Sequence, residues 1–133
     1  MASADRLKRN RDFSRVYRLG NFHGGNTVGL HAYRNRGSYA RQAPRVGFTV
    51  SRTIRGAVPR NRAKRLLRES FSLSGVEVFT GYDLIVTARW TPEKEPALSE
   101  LTRTIGQLIR ESGAGRDGLD KEDKNGSCVR ECE

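Results

Sequence analysis

The sequence predicts an α/β sandwich in which one small sheet carries helices packed against it. Three observations lead there. Three segments are rich in β-branched and aromatic residues, three others carry apolar residues at helical spacing, and the two kinds alternate along the chain. Asn10 is placed to cap a first helix bearing Phe13, Val16 and Tyr17 at i, i+3, i+4, with Gly20 available to end it. Residues 21–25 leave room for an early strand. Residues 27–33 and 45–51 then read as strands, joined by a loop that glycines and Pro44 punctuate. A basic helix follows over 57–71, and a third strand over 82–89 is dense in Leu84, Ile85 and Val86. The last helix, 97–111, places Leu98, Leu101, Ile105, Leu108 and Ile109 on one face, with Pro96 before it and Gly113 after it.

The basic helix is the most telling segment. At 3.6 residues per turn, Ala63, Leu66, Leu67, Ser70 and Phe71 form an apolar stripe that docks on a core. Arg60, Lys64 and Arg68 form one row on the remaining surface, Asn61 and Arg65 the next, and Arg62 flanks the stripe. Glu69 is the single carboxylate of the segment. A merely solvated face would alternate its signs. The guanidinium fork matches phosphate oxygens, so this arginine-rich surface points to a nucleic acid.

Composition agrees. The 133 residues carry 25 Lys plus Arg against 15 Asp plus Glu, a net charge of +10. The charge is uneven, because residues 114–133 hold four basic and six acidic side chains and few large apolar ones. That segment reads as a disordered charged tail behind a single domain of residues 1–113. No apolar run approaches the roughly 18 residues that span a bilayer, and no secretory signal pattern opens the chain, so a cytoplasmic protein without a membrane partner is expected. Cys128 and Cys132 lack the histidines or further cysteines of a zinc site. No glycine-rich phosphate loop, Ser-His-Asp set or His/Asp/Glu metal cluster is evident, so no residue of this chain is expected to be catalytic. Asp12 and Asp83 are isolated carboxylates, too few for a two-metal nuclease. Phe13 and Tyr17 suit core packing, and their flanking arginines equally suit a stacking platform for unpaired bases.

These residues resemble the protein subunit of bacterial ribonuclease P, over about residues 6–112. Arg60-Asn61-Arg62 followed by Lys64, Arg65 and Arg68 is similar to that family's signature helix. Val46-Gly47-Phe48-Thr49-Val50-Ser51 resembles the strand before it, Asp12-Phe13 with Val16-Tyr17 the first helix, and Tyr82-Asp83-Leu84-Ile85-Val86-Thr87-Ala88-Arg89 the last strand. The resemblance implies an α-β-β-β-α-β-α order with a left-handed crossover. It further implies an endoribonuclease holoenzyme in which a catalytic RNA with bound Mg²⁺ removes the 5′ leader of precursor tRNA, while the protein adds affinity and positioning. Arg60, Asn61, Arg62, Lys64, Arg65 and Arg68 would then contact RNA phosphates, joined by Arg52 and Arg55 of the preceding run. Phe13 and Tyr17 would line the leader cleft, with His31 at the place of a family tyrosine and Tyr33 two residues on. The rival reading is a structural RNA-binding protein such as a ribosomal component. A helix-turn-helix DNA binder fits poorly, because the basic helix follows a strand and a loop.

Overall fold

The computed structural model describes residues 5–25 and 27–117. Its elements in chain order are β1 (Asp5–Arg6), α1 (Asn10–Leu19), β2 (Asn21–Gly24), β3 (Val28–Arg34), β4 (Arg45–Val50), α2 (Ala57–Ser74), β5 (Val76–Val78), β6 (Tyr82–Ala88), α3 (Leu98–Ser112) and β7 (Gly115–Asp117). Five strands form one mixed sheet in the order β1-β4-β6-β3-β2, while β5 and β7 pair apart from it. β4 runs parallel to both β1 and β6, and the remaining contacts of the sheet are antiparallel.

The pleat sorts side chains between two faces. Leu84, Val86 and Ala88 of β6 join Val28, Leu30, Ala32, Val46 and Val50 in the main core. That core is closed from outside by α2, through Ala63, Leu67 and Phe71, and by α3, through Leu101, Ile105, Leu108 and Ile109. The opposite face is covered by α1 and the segment leading into it, where Val16, Leu7 and Ile85 form a small second cluster with Phe13 and Tyr33 packed on it. Gly47 makes that approach possible, since a Cβ there would lie 2.6 Å from the Phe13 ring.

The helical stripes were legible and several ends were not. Asn10 is the first helical residue instead of the cap, and Arg9 precedes it without a side-chain cap bond. α2 runs on to Ser74 and stops at Gly75, whose φ of 67° lies in the left-handed region that favours glycine. Pro59 falls in the first turn of α2, where its missing N–H has no partner to lose. Gly113 ends α3 as expected, at φ 80°. The fold continues past residue 113: Ala114 is fully buried and β7 pairs with β5, so the tail of the sequence reading begins later than residue 114. Its remainder, with Cys128 and Cys132, lies outside the described residues.

Candidate RNA interface

The two candidate surfaces meet at one end of the sheet. β4 ends at Val50, a short turn carries Arg52 and Arg55 into solvent, and α2 begins at Ala57. Asn61, Arg62, Arg65 and Arg68 are exposed on α2, and Lys64 is half-buried beside the docked stripe. Arg60 departs from the expectation. Its Nη1 donates to the carbonyls of Ser51 (3.2 Å) and Ile54 (2.9 Å), and its Nη2 to that of Val50 (3.0 Å). The helical wheel put it in line with Lys64 and Arg68, but the turn before the helix folds back under the first coil and takes its fork. Arg60 therefore ties the basic helix to the end of β4.

Arg62 is also engaged, though in the open. Its Nε and Nη2 each donate to one oxygen of Glu95 at 2.8 Å, a fork-to-carboxylate pair of the geometry a phosphate would offer. This bond, ahead of the partial burial that opposes it, draws the Glu95 carboxyl below its usual range.

The α1 face carries the aromatic residues. Tyr17 is well exposed, and its hydroxyl lies 3.2 Å from that of Thr49, which is 2.9 Å from the Thr87 hydroxyl. The Tyr17 ring meets His31 edge-on at 4.7 Å, and on the other side of His31 the Phe22 ring lies at 4.9 Å. Phe22 pairs directly with His31 across the β2–β3 ladder and rests over Gly29, where a Cβ would come within 2.8 Å of its ring. The Arg89 guanidinium sits 5.4 Å from the Phe22 centroid. Burial, and next the charge of Arg89, lower the His31 pKa, and its Nδ1 has no partner among the described residues. Both effects favour the uncharged form of the His31 ring.

Of the four expected cleft residues, Tyr17 and His31 stand together. Phe13 and Tyr33 are half-buried against the small cluster beneath α1 and serve packing first. Phe22 and Arg89 escaped the sequence reading. Asp12 and Asp83 have a joint task instead of a nuclease one: both are buried, and both hold Arg45, at 3.3 Å and at 3.0 and 2.7 Å. Among the described residues no three His, Cys, Asp or Glu side chains gather into a metal-ligating set, and no helix is long and apolar enough to cross a membrane.

Fold and surface define a basic α/β protein whose exposed, arginine-rich helix suits RNA phosphates. Comparison with known proteins makes the class specific. The family model for ribonuclease P matches residues 1–112. The ribonuclease P protein component of Clostridium kluyveri is 34% identical over 110 residues, which cover 81% of this chain and 94% of that one. That of Alkaliphilus metalliredigens is 34% identical over 111 residues, 83% and 95% of the two chains. The solved Staphylococcus aureus RNase P protein is 27% identical with a TM-score of 0.65, covering 84% of this chain and 98% of its own. The Thermotoga maritima RNase P protein, at 23% identity and a TM-score of 0.59, shares the fold.

The chain belongs to the bacterial ribonuclease P protein family. It is a subunit of the RNase P endoribonuclease, with a role in maturing the 5′ end of tRNA, and membership implies partnership with RNase P RNA and precursor tRNA. The family generally requires Mg²⁺. The described side chains offer this ion no ligating set of three or more His, Cys, Asp or Glu residues.

Proposed function

We propose that this chain divides its two partners between two surfaces. The exposed cations of α2 and its leading turn, Arg52, Arg55, Arg62, Arg65 and Arg68, hold phosphates of the catalytic RNA, with Asn61 and Lys64 beside them. Arg60 shapes that surface from within. Tyr17, His31 and Phe22 receive unpaired leader bases of precursor tRNA, with Arg89 near their phosphates, while Phe13 and Tyr33 support the patch from the core beneath α1. Mg²⁺ and the hydrolytic step belong to the RNA, and the protein works where precursor tRNA is processed, in the cytoplasm.

The observation that carries the reading is the Tyr17–His31–Phe22 row, three rings in contact and partly open to solvent, on a sheet face that a single helix covers. What sets these rings apart is that they are contiguous, with Tyr17 and Phe22 exposed on either side of His31. Every base has a π-face, so such a row accepts varied leader sequences, and a neutral His31 avoids placing a second cation beside Arg89. A structural RNA-binding protein would need the basic helix but not the row.

Reconstitution tests the reading. Mixed with a bacterial RNase P RNA at moderate salt, the protein should stimulate 5′ leader removal, and its affinity for the RNA should fall with log salt at a slope of about −0.7 to −0.9 per phosphate contacted. Binding without stimulation of cleavage would favour the structural alternative.

A further inference from the structure

The α1 face has a second open end. Where β4 and β6 begin, a cavity of about 310 Å³ is lined by Arg9, Arg11, Arg15 and Arg45, together with Asp12, Tyr39 and Gln42. Four guanidinium groups here face one lining carboxylate, Asp12, and that carboxylate is already engaged by Arg45 at 3.3 Å and Arg15 at 3.5 Å. Arg45 is held from behind by the buried Asp83, so its position is set before anything binds. Arg9 and Arg11 are exposed and bond no carboxylate among the described residues. Tyr39 offers an exposed ring. Planar forks around a concavity match phosphate oxygens, and a free tyrosine ring beside them suits a base.

We propose that this pocket binds a phosphate of single-stranded RNA, and that the RNA is the distal part of the leader, beyond the nucleotides that lie on the aromatic row. The proposal rests on the leader reading above. Arg45 and Thr49 lie on the same face of β4, four residues apart, which is roughly 13 Å at the rise of a strand. A few nucleotides span that distance, so a leader passing Tyr17 along α1 arrives at the pocket. The catalytic RNA, by contrast, is assigned to α2, which packs on the opposite face of the sheet.

The test uses the reconstituted holoenzyme and precursor tRNAs with leaders of increasing length, comparing the parent with Arg9→Gln/Arg11→Gln, two exposed positions whose loss spares the core. The parent should gain affinity as the leader lengthens past the aromatic row. The variant should lose that added gain, about tenfold, the scale of one or two charge-assisted contacts. Its affinity for a short-leader precursor and for mature tRNA should match the parent's. An unchanged length dependence in the variant overturns the pocket assignment while leaving the leader reading intact. A loss equal at all leader lengths, or one seen with RNase P RNA alone, also overturns it and moves these arginines to the catalytic RNA. If the parent fails to prefer precursor to mature tRNA, the leader reading itself falls.

Discussion

The two faces of the central sheet share the same strands and have opposite fates. On one face Leu84, Val86 and Ala88 vanish beneath α2 and α3, and the core there is continuous and apolar. On the other, Asp83, Ile85 and Thr87 of the same strand meet a single short helix, and only Ile85 joins an apolar cluster. The first face supplies the cohesion that lets the second remain half-covered, with polar hydroxyls and stacked rings still reachable by a ligand. Stability and recognition are thus separated by the two-residue period of a strand.

Substitutions along β6 and its neighbours can break that division. Leu84→Ala should lower unfolding free energy by about 2–5 kcal/mol, because it empties a fully enclosed site. Thr87→Val, three residues on and on the other face, should cost at most about 1 kcal/mol, one shared hydroxyl bond. Urea titrations of both variants would show it, and equal losses would end the distinction between the faces.

A second contrast lies within α2. Arg60→Ala removes three bonds to carbonyls and should destabilise the fold by about 1–3 kcal/mol. Arg65→Ala should leave the melting curve within about 0.5 kcal/mol of the parent, while reducing the salt slope of binding to RNase P RNA by about one. If Arg60→Ala melts like the parent, the clamp does not hold the turn.

The smallest effect concerns pH. The His31 pKa is lowered in the folded protein, so the unfolded chain takes up its proton first as pH falls. Its contribution to stability is complete above the ordinary histidine value of about 6.5 and is lost as pH drops through that value toward the folded one. Urea midpoints between about pH 5 and 7.5 should therefore fall less steeply in His31→Phe than in the parent. Identical slopes would mean that this half-buried ring is not responsible.

Much of this was legible in the sequence. Apolar stripes on the helices and dense β-branched runs on β4 and β6 are local signals, and both survive folding because each element buries its own apolar side. What escaped depends on contacts between distant segments. Phe22 lies in a short strand without a period of its own, and only the β2–β3 register sets it beside His31 and over Gly29. Arg60 looks like its neighbours on a helical wheel, and its inward role comes from the path of residues 50–56. Asp12 and Asp83 are far apart in the chain, and it is Arg45 that joins them. The folded part runs on into β7, three residues of ordinary loop composition that pair with the edge of β5, a contact no local pattern announces.

The central claim is that the aromatic row reads the leader while α2 holds the catalytic RNA. The direct measurement is the ratio of holoenzyme affinities for precursor and mature tRNA, in the parent and in Tyr17→Ala/Phe22→Ala. Stacking is worth about 1–3 kcal/mol per base, so the ratio should collapse by roughly 5- to 100-fold, with mature tRNA and RNase P RNA bound as before. An unchanged ratio in a folded variant, or equal losses for both tRNAs, would contradict it.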